Sequence, residues 1–478
     1  MNKTKSAIDN QEPAEILQAL FAEQKKAFSE NPFPCAKTRI QALKKLKSVV
    51  LENQDSFCHA ISEDFSGRSA DETRIAEIMT SVECINMAIK NVTKWMRPSK
   101  RKVGPLFMPA NNQVFYQPLG VIGIIVPWNY PLFLAVGPLV TALSAGNRAM
   151  IKMSEFTPNF NKVLISALGE AFPPQELAII EGEADIAAQF SALPFDHILF
   201  TGSTAVGKHV MRAASQNLTP VTLELGGKSP AIIAPEADMK AAAERICFGK
   251  SMNSGQTCIA PDYVLIPAGR EQEFMTVYKT IFSKMYPSLK DNPDYTAIIN
   301  PRQHQRLQDL LEDAEKHGAT LTTINPAEED FTGTRKMPLT LIEHASDDSA
   351  IMQEELFGPL LPLVSYQGMD EAINYVNARP RPLALYLFSY NKAEQEKVLR
   401  ETHSGGVTIN NTLVHIAQED MPFGGIGPSG MGHYHGHEGF LTLSATKSVH
   451  RIGKLNSGKL AYPPYGSMHK LIYRLFIR

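Results

Sequence analysis

The chain has 478 residues, 44% of them apolar, and a formal net charge of −2. That length supports more than one core. Its 47 Lys+Arg and 49 Asp+Glu are spread along the chain, which excludes a nucleic-acid footprint, and five cysteines with no CxxC exclude a disulfide framework or a zinc site.

The N-terminal segment MNKTKSAIDNQEPAEILQAL has no apolar stretch of the signal-peptide kind, and a cytoplasmic protein is expected. Residues 14–60 carry helical periodicity with charges on one face, and residues 70–97 read as a helix ending before Pro98. From Leu119 to Asn147 no residue is charged, a run long enough to span a bilayer. Pro127, Pro131 and Pro138 would break such a helix in lipid, so the run reads as a buried strand, VIGIIVP, and a buried helix capped by Gly146.

Next come a strand in RAMIKMS, a helix in NFNKVLISALGEAF, strands in LAIIEG and HILFTGS, a helix in TAVGKHVMRAASQ and a strand in VTLELGG. Strands alternating with helices predict a doubly wound parallel sheet of the nucleotide-binding kind. A second α/β unit begins after Gly227, with MKAAAERICFGKSMNSGQ (239–256) as a helix, and runs to about residue 410. From Asn411 the chain is rich in Gly, Pro and His.

Three segments carry candidate chemistry. In FTGSTAVGK (200–208) a strand enters a Gly-containing turn and then a helix, which can present backbone N–H groups to a phosphate. An ordinary strand-to-helix turn looks the same. In NSGQTC (253–258) Cys258 follows a polar loop at a helix end, where a thiolate can stay accessible, although free cysteines are more often small core residues. In VTLELGGK (221–228) Glu224 ends an apolar strand, as an exposed charge or as a base held in a cavity.

Together these segments are very similar to the signature segments of the aldehyde dehydrogenase superfamily. Pro127-Trp128-Asn129, IKMSE (151–155), ELFGP (355–359) and PFGGIGPSGMG (422–432) resemble four more, in the family's order. MNSGQTCIAPDY (252–263) resembles the dimeric class 3 branch, and GPSGMGHYHG (427–436) is similar to bacterial members acting on coniferyl aldehyde.

The resemblance implies an α/β aldehyde dehydrogenase fold. A Rossmann-like NAD-binding domain is expected over 1–102 and 122–225, and a catalytic domain over 226–410. A small β oligomerisation part is expected over 103–121 and 411–450, with a tail over 451–478. It implies oxidation of an aldehyde to a carboxylic acid through a Cys258 thiohemiacetal and thioester. The Asn129 side chain would stabilise the oxyanion and Glu224 would activate the hydrolytic water. Trp128, Lys152, Glu155, Gly202, Ser203, Gly207, Glu355 and Phe357 would bind the cofactor, NAD first and NADP as an alternative. The implied substrate is coniferyl aldehyde, giving ferulic acid; a medium- or long-chain aliphatic aldehyde is the alternative. A non-catalytic binding protein of the same fold is a remote one, and Tyr130 and Thr412–His415 are candidate lining.

The implied assembly is a homodimer. No metal is expected at His433, His435 and His437, since no carboxylate or cysteine completes a set. The basic, apolar end KLIYRLFIR is too short to span a membrane and reads as a packed tail, with peripheral lipid contact as the alternative.

Overall fold

Parallel strands need crossover connections, and amphipathic helices supply them by packing their apolar faces back onto the sheet. The computed structural model describes residues 13–477. Helices Pro13–Glu30, Ala36–Glu52 and Gln54–Phe65 come first. The segment expected as one helix over 70–97 is helical from Ala70 to Trp95 and holds a wider π turn at Arg74–Met79.

Strands β1 (Ser99–Arg101) and β2 (Ala110–Pro118) lead into β3 (Val121–Ile125), β4 (Arg148–Lys152), β5 (Leu177–Ile180), β6 (His197–Thr201) and β7 (Val221–Glu224). Then follow β8 (Pro230–Ile233), β9 (Tyr263–Pro267), β10 (Thr320–Ile324) and β11 (Leu339–Glu343). The last strands are β12 (Leu360–Tyr366), β13 (Ala384–Phe388), β14 (Gly406–Ile409), β15 (Gly430–Met431) and β16 (Ser444–Ile452).

Among the described residues these strands form three sheets, ordered β15-β7-β6-β3-β4-β5, β10-β11-β12-β9-β8-β13-β14 and β1-β2-β16. The first is parallel except for β15, and the second is parallel except for β10. This is the expected doubly wound α/β architecture. In the first sheet the order reverses between β3 and β6, which is where such sheets bind ligands, beyond the strands' carboxyl ends.

The uncharged run forms β3 and the helix Phe133–Ala145, every residue of which is buried. Among the described residues no helix is long and apolar enough to cross a membrane. The helix stops at Gly146, whose φ of 88° favours a residue without Cβ. Asn147 then accepts a bond from the Gly120 N–H at 2.9 Å and donates to the Leu443 carbonyl at 2.8 Å, tying the first sheet to the start of β16. The antiparallel sheet spans Ser99 to Ile452, and β15 pairs with β7 instead of joining it.

One expected element is shorter than its composition suggests. The helix read over 239–256 ends at Ser251, and Met252–Gly255 form a tight turn. Asn253 and Ser254 lie there at φ 51° and 50°, followed by Gly255 at 73°. Non-glycine residues in that region cost about 1–3 kcal/mol each, so the surroundings must hold them.

Candidate active site

The turn after Ser251 is held by partners far away in sequence. Glu72 accepts the Asn253 N–H and, at 2.6 Å, the Thr296 hydroxyl. The Asn253 side chain donates to the carbonyls of Asn129 (3.0 Å) and Gln256 (3.2 Å). Gln256 donates to the Ala297 carbonyl and accepts the Ile299 N–H, both at 3.0 Å. Gly255 completes the turn, since a Cβ there would lie 2.4 Å from the Gly358 carbonyl oxygen. The result is a fixed loop that carries Cys258, half-buried, to the meeting place of the two large sheets.

Asn129 follows β3 on the same side. Its side chain donates to the Gln256 carbonyl at 3.1 Å, and its own carbonyl accepts from Arg68 at 3.0 Å. The Arg68 guanidinium is fully buried, 2.9 Å from a Glu77 oxygen, with its centre 5.2 Å from the Phe65 ring and 4.8 Å from the Tyr130 ring. Glu77 in turn accepts the N–H groups of Leu132 (2.7 Å) and Phe133 (3.2 Å). The π turn that carries Glu77 therefore anchors the start of the helix after Asn129. Replacing Arg68 with Met strands a buried carboxylate and is expected to destabilise the fold by about 3–5 kcal/mol in urea titrations. Adding Glu77→Gln should recover part of that loss, and additive losses would count against the pairing.

Glu224 ends β7, beside Thr201 of β6. It is 3% exposed, and neither carboxylate oxygen has a hydrogen-bond partner among the described residues. Burial pushes its carboxyl well above the ordinary carboxylate range. Glu355 is pushed up to about 8, by burial first and by Asp262 second, while a bond from the Gly227 backbone opposes this. Burial, with Glu355 and Glu224 adding to it, pushes the Cys258 thiol up to about 12.

A cavity of about 250 Å³ brings together Trp128, Asn129, Gly202, Ser203, Glu224, Cys258, Glu355 and Phe357. The Trp128 ring meets Phe357 edge-on at 5.3 Å. The cavity shares Trp128, Gly202 and Ser203 with a trough of about 900 Å³ walled by Lys152, Glu155 and the helix Thr204–Ser215. The Lys152 ammonium donates to the Met153 (2.8 Å) and Gly182 (2.6 Å) carbonyls, whereas Glu155 is exposed.

Gly207 lies on neither wall. A Cβ there would meet Leu225 at 2.7 Å, so its glycine serves the close packing of helix on strand. Tyr130 also lies off both walls, buried with its hydroxyl 2.7 Å from that of Thr257. Thr412 bonds the Arg245 carbonyl at 2.7 Å and is likewise outside them. The structure adds Gln303 and Arg306 to the site, which no motif marked, and Thr201 from the segment 200–208. Gln303 and Arg306 sit on the amphipathic helix Pro301–Lys316, where a sequence shows only a polar face.

Gly226 has a direct link to the chemistry. A Cβ there would lie 2.1 Å from a Glu355 carboxylate oxygen. That oxygen ends a flexible side chain, so Gly226→Ala should fold but displace Glu355. If Glu355 holds the cofactor, as the resemblance implies, losing one charged hydrogen bond of about 1.5 kcal/mol should weaken cofactor binding roughly tenfold, read by fluorescence titration. Unchanged affinity would remove Glu355 from the cofactor site.

The trough fits an extended dinucleotide. It opens on the topological switch point and receives the N-terminus of the helix Thr204–Ser215, a natural anion site. Gly202 precedes that helix, and a Cβ there would strike the Phe200 ring at 2.6 Å.

The model of the aldehyde dehydrogenase family matches residues 3–449. The chain is 57% identical to the "Probable coniferyl aldehyde dehydrogenase" of Pseudomonas aeruginosa, with 98% of each chain covered. It is 44% identical to the "Coniferyl aldehyde dehydrogenase" of Pseudomonas sp. strain HR199, with 96% of each covered. Its fold superposes on that of substrate-bound Staphylococcus aureus AldH with a TM-score of 0.91 at 38% identity, covering 96% of this chain and 99% of that one. A family match over almost the whole length, together with relatives of this identity, shows that the chain belongs to the aldehyde dehydrogenase family.

Proposed function

We propose that this aldehyde dehydrogenase oxidises coniferyl aldehyde to ferulic acid, with Cys258 as the nucleophile and NAD as the preferred cofactor, NADP being accepted. The carrying observation is that Cys258, Glu224 and Asn129 line one cavity continuous with a dinucleotide-sized trough. The substrate assignment is supported by the names of the relatives at 57% and 44% identity. Glu155 on the trough wall repels a 2′-phosphate, which favours NAD.

The Cys258 thiol gives up its proton to solvent, and the thiolate sulfur adds to the aldehyde carbon, turning the carbonyl oxygen into an oxyanion. The Asn129 side-chain amide and the Cys258 backbone N–H donate to that oxygen. When bound, the nicotinamide supplies the acceptor for the hydride that leaves the same carbon. Glu355 and Phe357 hold the cofactor's nicotinamide end, and Lys152 and Glu155 its adenosine end. The carbon is then a thioester of Cys258. Glu224, as a carboxylate with no protein partner, takes a proton from water, and the resulting hydroxide releases the acid and the Cys258 thiolate.

In this reading residues 1–102 and 122–225 hold the cofactor, and 226–410 present the nucleophile. The sheet β1-β2-β16 joins two copies, supported by the exposed Phe107, Met108 and Ile452 beside it. Light scattering on the purified protein tests the dimer.

The test of the reaction is acid formation from coniferyl aldehyde with NAD, followed by chromatography because the aldehyde absorbs where NADH does. Ferulic acid in step with NADH is expected. Turnover confined to aliphatic aldehydes would replace the substrate and keep the chemistry, and no turnover of any aldehyde with either cofactor would overturn the reading.

A further inference from the structure

Glu355 and Phe357 lie on a short connection between the helix Ala350–Gln353 and β12, and that connection has no regular structure of its own. Phe357 sits there at φ 50°, a backbone region that a non-glycine residue keeps only where its surroundings hold it. The bonds that hold the connection converge on the backbone on either side of Glu355. The Lys228 ammonium donates to the carbonyls of Glu354 at 2.9 Å and Ile351 at 2.8 Å, and its third donor meets an Asp262 carboxylate oxygen at 2.5 Å. The other Asp262 oxygen accepts the Leu356 N–H at 2.9 Å. From the helix Pro301–Lys316, Arg306 donates to the carbonyls of Glu355 and Leu356.

Lys228 and Asp262 come from the segments that carry the chemistry. Lys228 stands four residues after Glu224, and Asp262 four after Cys258. Both side chains are buried, 11% and 4% exposed. The main chain at Asp262 does not depend on its carboxylate. Its N–H donates to the Ser229 carbonyl at 2.8 Å, Tyr263 pairs with Pro230 where β9 joins β8, and the Tyr386 hydroxyl donates to the Ile259 carbonyl. These bonds fix the chain after Cys258, and the carboxylate reaches across to the connection that bears Glu355. A buried ion pair is weak evidence for stability, since apolar residues of similar volume often serve as well. What this pair supplies is direction: it satisfies a carbonyl and an N–H that flank Glu355.

We infer that Lys228 and Asp262 are positioning residues, a buried pair that fixes the connection Glu354–Phe357 relative to Cys258 and so aligns the nicotinamide for hydride transfer. This rests on the reading of Cys258, Glu355 and Phe357 given above. Neither side chain lines the cavity or the trough, so both act through the connection.

The test compares two rates. NADH formation needs the nucleophile and the cofactor in register. Alkylation of Cys258 by iodoacetamide without cofactor, read as added mass on its peptide, needs the nucleophile loop alone. Asp262→Asn keeps the shape and can still accept the Leu356 N–H, but it loses the charge that holds the ammonium. In that variant kcat/KM for NAD should fall by about 10²-fold, the scale of a displacement of about 1 Å, while alkylation changes by less than about threefold. Deuterium on the aldehyde carbon should slow the variant more than the unmodified enzyme, because hydride transfer becomes the slow step. Lys228→Arg serves if the amide variant does not fold, since a planar guanidinium keeps the charge but cannot place one nitrogen among three oxygens. Equal fractional losses in the two rates, or NADH formation within about threefold of the unmodified enzyme, overturn the assignment. Glu355→Gln, measured alongside, separates the failures. If it weakens cofactor use and the pair variants do not, the positioning pair falls and the cofactor reading stands. If Glu355→Gln leaves cofactor use unchanged, the reading of Glu355 falls and this inference with it.

Discussion

Cys258→Ala should lower aldehyde oxidation by roughly 10⁴–10⁶-fold, the scale seen when a covalent nucleophile is removed and only positioning remains. No other cysteine can replace it. Cys247 is fully buried in the core, and burial pushes its thiol up to about 12. Cys58 and Cys84 are buried, and Cys35 is exposed at the edge of the helix Ala36–Glu52. The dinucleotide trough does not include Cys258, so cofactor affinity should change little in the variant. The measurement is acid product by chromatography beside a cofactor titration. Loss of oxidation with retained cofactor binding supports the nucleophile. Activity within about tenfold of the unmodified enzyme would eliminate it, since no positioning effect of that size survives loss of the attacking atom. Cys247→Ala is the matched control and should keep its rate, with a stability loss of the kind a small cavity brings.

Much of the architecture was legible because burial writes itself into composition. VIGIIVP and HILFTGS are apolar runs too short for helices, bounded by Gly and Pro, and both became central strands of one parallel sheet. Gly146 marked a helix end that its left-handed backbone then occupied. The turn at Met252–Gly255 was not legible. KSMNSGQ continues a helical composition, and the left-handed Asn253 and Ser254 are imposed by Glu72 and by the Thr296 and Asn129 carbonyls, which are distant in sequence. The same holds for Arg68, whose neighbours in sequence give no hint that its guanidinium grips the Asn129 carbonyl. Motif resemblance singled out Asn129, Glu224, Cys258, Glu355 and Phe357, and the fold brings all five to one cavity. It could not reach Gln303 or Arg306, since a polar helix face looks alike whether it meets solvent or a site.

Glu224→Gln should separate the two halves of the reaction. The amide keeps the volume of the side chain but cannot take a proton from water, so steady-state turnover should fall by about 10²–10⁴-fold, the usual worth of a general base. The half of the reaction that ends in hydride transfer needs no hydrolytic water. One equivalent of NADH per active site should therefore appear rapidly and then stall, with the acyl group held as a thioester on Cys258 and visible as added mass on that peptide. The pH dependence has a definite sign. Burial favours the neutral acid at Glu224 and so raises its pKa, yet only the carboxylate can act as a base. Where hydrolysis limits the rate, turnover in the unmodified enzyme should rise with pH through that raised pKa, and Glu224→Gln should flatten the rise. If the variant lost the burst as well as the turnover, Glu224 would be acting earlier, as the acceptor of the Cys258 thiol proton.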